Sequence, residues 1–228
     1  MMRRYDVQAL DVNGAERFTQ HIAPATPEFE NAFNAFARGV AIMTDQGPRP
    51  VEDLRPGMMI ETLEQGRQPL RWIGSMTMVP NAPCDDPAQV RLIRVTNERF
   101  GPAKPGIDLM VGPGARLLHS PDGLRNPDGR RAAYTDFAQF VDGDSVFEIT
   151  PPAPIETFHI ALERHATVLA EGLPVEAYHP GYHMEEQMGP NKLSLFLSLF
   201  PHVTELEDFG LLANPRMTLR ALHDLDAA

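Results

Sequence analysis

The sequence is short of the residues that cross-link chains or hold metals. Among 228 residues there is one cysteine, Cys84, so neither an intrachain disulfide nor a cysteine-rich zinc site can form. Basic residues are scarce too: 20 Lys and Arg stand against 31 Asp and Glu, a net charge of −11. That balance disfavours nucleic-acid binding, which needs phosphate-neutralising cations, and disfavours an anionic membrane surface. Long apolar runs are also missing. The richest, residues 193–200, is broken by serine and falls far below the roughly 18–20 residues of a membrane span. No apolar stretch follows Arg3-Arg4 to form the core of a signal peptide. The expectation is a soluble chain, cytoplasmic by default, with signal-less secretion as the other route. Gly-rich phosphate loops, Ser–His–Asp signatures and Asp-rich calcium repeats are absent, so no cofactor and no metal are expected.

What the chain has in plenty is turns, with 22 prolines and 17 glycines. From residue 40 to about 178, β-leaning runs at 58–63, 70–78, 90–96, 107–111, 145–150 and 158–170 alternate with turn signals. Among the latter are Arg55-Pro56-Gly57, Pro121-Asp122-Gly123, Pro127-Asp128-Gly129 and Asp142-Gly143-Asp144. No helix of crossover length separates these runs, which excludes a parallel α/β sheet and predicts a mainly β domain.

Both flanks differ from this middle. Residues 6–10 alternate weakly and predict an opening strand. Thr26-Pro27-Glu28 then starts a short helix over about 27–34, carrying Phe29, Phe33 and Phe36 at helical spacing. Near the other end, Leu193, Phe196, Leu197 and Phe200 predict a helix capped by Asn191 and stopped by Pro201. A second helix is expected from about Pro215, using Leu219, Leu222 and Leu225. These helices are expected to pack on the β domain, with homodimer formation as another use of the same faces. The organisation predicted is an N-terminal strand and helix over 1–34, a β domain over 35–180 and a helical extension over 181–228.

Several segments, in this order and spacing, resemble the Hint (hedgehog/intein) domain, in particular its bacterial stand-alone form, over roughly residues 35 to 180. They are Gly47-Pro48-Arg49-Pro50-Val51-Glu52-Asp53-Leu54-Arg55-Pro56-Gly57, Gln68-Pro69-Leu70-Arg71-Trp72-Ile73-Gly74, Asp108-Leu109-Met110-Val111-Gly112-Pro113-Gly114-Ala115-Arg116 and Glu163-Arg164-His165-Ala166-Thr167-Val168-Leu169-Ala170-Glu171-Gly172. The resemblance implies a flattened horseshoe of β-hairpins. It also implies self-processing: a Cys or Ser at the domain's first residue attacks the preceding carbonyl, a histidine helps expel the backbone nitrogen, and a second nucleophile resolves the ester.

The reactive positions are vacant here. The opening Ala35-Phe36 stands where the resemblance implies Cys-Phe, and a methyl has no lone pair. Gly112-Pro113-Gly114-Ala115-Arg116 stands where Ser-Pro-x-His-Arg is implied, so Ala115 replaces the assisting histidine. The His-Asn of an intein end is missing from Leu173-Pro174-Val175-Glu176-Ala177. The expectation is a Hint scaffold acting as a binding or scaffolding module, its small residues leaving an open groove for a peptide segment. The competing expectation is active processing through another nucleophile, such as Ser75, Thr44 or Ser120. A different hydrolase in the same cleft has no constellation behind it.

The remaining candidates each have a bland reading. His165 matches a late-motif histidine but has no terminal Asn to serve, which makes it a hydrogen-bonded structural residue. His119 lies four residues, about 13 Å along a strand, beyond the vacant position and reads as a strand-end histidine. His179 and His183 with Glu185 and Glu186 are the one local metal candidate; Pro180-Gly181 spoils helical spacing, so solvated loop residues are expected. Cys84 beside Asp85 and Asp86 reads as an unreactive loop thiol. Trp72 is expected in the core, and Arg116 could pair with Asp108 or another acid.

Overall fold

The computed structural model describes residues 1–82, 87–120, 132–182 and 184–226. Cys84, His183 and the turns at 121–123 and 127–129 lie outside the described residues, as do the side chains of Leu222 and Leu225.

The chain is mainly β, one open antiparallel sheet with few helices. It opens with a hairpin, β1 (Met2–Leu10) and β2 (Glu16–Pro24), followed by helix α1 (Pro27–Glu30). Then come β3 (Phe36–Ala37), β4 (Ala41–Thr44), β5 (Gly47–Pro50), β6 (Met59–Thr62) and the long β7 (Gly66–Met78). The middle holds β8 (Leu92–Val95), β9 (Leu109–Val111), β10 (Arg116–His119), β11 (Ala133–Asp136) and β12 (Val146–Ile149). It closes with β13 (Ile155–Leu162), β14 (Thr167–Ala170) and β15 (Leu173–Glu176). Helices α2 (Met184–Gln187), α3 (Pro190–Leu197) and α4 (Leu219–Asp226) follow. Along the sheet the order is β11-β10-β15-β14-β4-β6-β7-β13-β3-β9-β8-β12, with β1 and β2 added on β7. Among the described residues no helix is long and apolar enough to cross a membrane.

Several expectations need correction. The predicted helix over 27–34 ends at Glu30, because the chain must turn there for Phe33 to enter the core beside Tyr5 and for Phe36 to join β3. The run at 158–170 is two strands, split by a turn at Glu163-Arg164 whose Arg164 N–H donates to Gln68 Oε1 at 2.9 Å. The helix at 190 is entered through Gly189, with Pro190 in its first turn, so Asn191 is not its cap. It ends at Leu197, ahead of Pro201. The second strand of the opening hairpin is unforeseen, although Asn13-Gly14 is a hairpin signal. Asp11 closes that turn by accepting the N–H groups of Asn13 and Ala15.

Two cores lie on the sheet, and β7 contributes side chains to both. Ile73 joins a core built from Phe36, Ile42, Leu54, Ile60, Val111, Phe158, Ile160 and Val168. Trp72 and Met76 join the other, with Tyr5, Val7, Phe29, Phe33, Phe196 and Phe200. Trp72 is fully buried, as its position in the sequence predicts, with the Phe33 and Phe200 ring centroids 5.3 and 4.8 Å away. Its indole N–H donates to Leu199 O at 2.8 Å, which fixes the end of α3 over the sheet. The apolar face of α3 is therefore buried within the same chain.

Gly74 makes this aromatic layer possible. A Cβ built there would lie 2.3 Å from the Trp72 ring and 2.5 Å from the Phe33 ring, and neither buried ring has room to withdraw. Gly74→Ala is expected to destabilise the fold by about 1–3 kcal/mol, the usual cost of overpacking. Urea unfolding followed by Trp72 fluorescence measures it, and an unchanged midpoint would refute the account.

Candidate functional site

Ala35 sits just before β3, and its position is fixed from both sides. Its N–H donates to Phe158 O at 2.9 Å, and its own carbonyl accepts Gly112 N–H at 2.9 Å. The peptide ahead of it is clamped as well. Gly114 N–H faces Asn34 O at 3.3 Å and Asn34 Oδ1 at 2.9 Å, while Asn34 Nδ2 donates to Gln89 Oε1 at 3.3 Å. This closeness requires glycine in the facing loop. A Cβ on Gly112 would stand 1.9 Å from Asn34 O, and one on Gly114 would stand 2.4 Å from Asn31 O.

The open groove expected at the two alanines is therefore not observed. Ala35 is 0% and Ala115 1% exposed. Hollows lie beside this loop and farther off, and Gln89 and Pro113 line one of them. One of about 370 Å³ is lined by Arg71, Glu163, His165, Tyr178, His202 and Asp208. Two of about 240 Å³ flank Arg116.

None of the alternative nucleophiles is brought to the peptide between Asn34 and Ala35. Ser75 lies on β7, two strands across from β3 through β13, roughly 10 Å away at ordinary strand spacing. Its hydroxyl faces Glu156 Oε1 at 3.4 Å. Thr44 closes the β4–β5 hairpin, donating to Gly47 O at 2.7 Å. Ser120 is exposed, just past the end of β10. His119 ends β10 with its ring edge-on to Phe140, centroids 5.4 Å apart.

His165 is buried in a polar cluster that sequence reasoning missed. Its Nδ1 accepts Ala213 N–H at 2.9 Å, which assigns the proton to Nε2. That nitrogen faces Ala177 O and Glu176 Oε1, each at 3.2 Å. Glu176, buried at the end of β15, also accepts Arg216 Nε at 2.9 Å and Arg116 Nη1 at 3.4 Å. Burial by itself would raise the pKa of Glu176. Arg216, the hydrogen bond from His165 and Arg116 outweigh it and hold the carboxyl at about 2. Arg116 thus pairs with Glu176 and, at 2.8 Å, with Asp136. It does not pair with Asp108, which is held by Arg94 at 2.8 Å across the β8–β9 pair.

The expected solvated loop at His179 is also corrected. His179 is buried, its Nε2–H donating to Gly210 O at 3.1 Å and its Nδ1 accepting Gly181 N–H at 2.9 Å. Both ring nitrogens are occupied, while Glu185 and Glu186 are exposed on α2. Among the described residues no group of three His, Cys, Asp or Glu side chains is arranged to hold a metal.

The family model of the Hint domain matches residues 34–182, well over half of the chain, and the chain belongs to that family. A search of curated proteins returns no match. Among solved structures, the chain is similar to a bacterial intein-like domain from Clostridium thermocellum at 12% identity and a TM-score of 0.37, covering 64% of this chain and 99% of that one. It is similar to a DnaB intein from Synechocystis sp. PCC 6803 at 14% identity and a TM-score of 0.37, with the same coverage. The gp41-1 intein matches at 10% identity and a TM-score of 0.38, over 64% of this chain and 98% of that one.

Buried histidines make the fold sensitive to acid. Burial pushes His159, edge-on to Phe36 and Tyr178, from 6.5 down to about 3, and pushes His179 down to about 4. Below pH 6.5 the unfolded chain therefore binds protons that the native chain refuses, and stability falls with pH. The stabilisation from Glu176 runs in a lower window: it is full above about 4.5 and lost as pH falls toward about 2. Urea titrations at pH 7, 6 and 5 should show a progressive loss. His159→Gln should flatten the slope by about one proton, or about 1.4 kcal/mol per pH unit. Stability that is constant over this range would contradict the buried neutral histidines.

Proposed function

We propose that this Hint domain has lost self-processing and serves as a binding or scaffolding module for a protein segment. One observation carries the reading: the peptide between Asn34 and Ala35 is held as if for attack, yet no attacking atom is supplied. Gly114 N–H faces Asn34 O, where an oxyanion would develop, but the adjoining side chain is the methyl of Ala35. The assisting position carries the methyl of Ala115, and the stretch 173–177 lacks the terminal His-Asn. His165 is engaged with Ala213, Ala177 and Glu176, so its surroundings support a structural role. The net charge of −11 favours a protein partner over nucleic acid or an anionic membrane.

Intact-mass spectrometry of the full chain, before and after incubation with a thiol or hydroxylamine, tests this. The expected result is one unchanged mass near 25.3 kDa. A split at the Asn34–Ala35 bond would overturn the proposal and require a nucleophile supplied from elsewhere.

A further inference from the structure

The terminal strand of the sheet, β11, does not end in solvent. Residues 215–217 lie along it in parallel: Tyr134 N–H donates to Pro215 O at 2.8 Å, and Met217 N–H donates to Tyr134 O at 2.9 Å. Side chains two apart on this segment enter the polar cluster beneath. Asn214 Nδ2 donates to Glu64 Oε1 at 2.8 Å and faces the Tyr134 hydroxyl at 3.4 Å. Arg216 reaches Glu176 through Nε and donates from Nη2 to His179 O at 2.7 Å. The Ala213 N–H caps His165 Nδ1.

This is how a sheet edge takes a peptide ligand: main-chain pairing for affinity, with alternate side chains for specificity. The hold is polar. The apolar support consists of Ala133 with Met217 and Leu219, apart from the two main cores, and Leu211 just upstream is 80% exposed. We propose that residues 213–217 are a self-ligand occupying a strand-recognition site made by β11, Glu64, Glu176 and His165. In trans, the site takes an extended segment carrying Asn and, two residues on, Arg. Glu176 selects the arginine by charge, and Glu64 selects the asparagine by accepting its amide N–H. The inference rests on the binding-module reading and gives it a location away from the buried alanines. Covalent attachment places the self-ligand at an effective concentration of about millimolar, so the intact chain resists competitors at micromolar concentration.

The test keeps the whole chain. A protease site is inserted after Leu211 and cut once the protein has folded, leaving the C-terminal segment held by non-covalent contacts. A labelled peptide of residues 212–228 is then titrated, with fluorescence anisotropy as readout. The cut protein should keep its circular dichroism and exchange its own segment for the labelled one. Binding should be about 100-fold tighter than to the uncut chain, and a peptide with Arg216→Ala should bind at least about tenfold more weakly. Unfolding on cutting, failure to exchange, or equal binding of the Arg216→Ala peptide would overturn the proposal. Hydrogen exchange on uncut Arg216→Ala supplies a second measurement. The amides of Ala213 and Met217 should exchange at least about tenfold faster while those of β7 and β13 hold, and unchanged exchange at Met217 would count against it. Cleavage at Asn34–Ala35 would appear separately, as mass lost from the other end, so failure of the binding-module reading is distinguishable.

Discussion

A carboxylate removed from water must be compensated, and Glu176 is the place where this chain meets that demand. An uncompensated buried charge costs several kcal/mol. Here the compensation comes from Arg116 at the start of β10, His165 in the turn before β14, and Arg216 far along the chain. No two of these donors share an element. One charge therefore links β10, β15 and the segment ahead of α4. Removing one partner would leave the charge partly unmet, which is more damaging than replacing the whole set with apolar groups.

The aromatic layer around Trp72 works by different physics. Trp72, Phe33, Phe200 and Tyr178 gain from area buried and from ring geometry, and only the indole N–H adds a directional bond. Tyr178 joins the two regions, since it stacks on Phe200 and stands edge-on to His159. The helical end of the chain is thus attached twice, once by packing through α3 and once by hydrogen bonds and charge through residues 213–217.

Much of the fold could be read from the sequence because its punctuation is strong. Glycine and proline turns separate short β-leaning runs, and without crossover helices only an antiparallel sheet remains. Residues 16–24 escaped that reading because β2 carries Phe18 and Ile22 on its exposed side, so its apolar residues do not mark a buried face. Ala35 and Ala115, on which the proposed loss of self-processing rests, could be picked out because the resemblance assigns those positions one residue at a time. The cluster around Glu176 was not: its partners lie 11, 40 and 60 residues away, and only the topology brings them together. Arg116 shows the difference. Asp108 is nearer in sequence, but the β8–β9 register delivers Asp108 to Arg94. The closed state of the groove was equally hidden, since it depends on how two glycines let one loop rest on another stretch of backbone.

The clamp on Asn34 has a consequence for chemical durability. An asparagine ages by attack of the next residue's backbone nitrogen on its side-chain amide, closing a succinimide ring and losing ammonia. At this position the nitrogen concerned is that of Ala35, whose N–H is committed to Phe158 O. The side-chain amide is pinned at both of its atoms, by Gly114 and by Gln89. Nucleophile and electrophile are held in separate hydrogen bonds inside a closed core, so the geometry that stabilises this peptide also shields Asn34 from spontaneous deamidation.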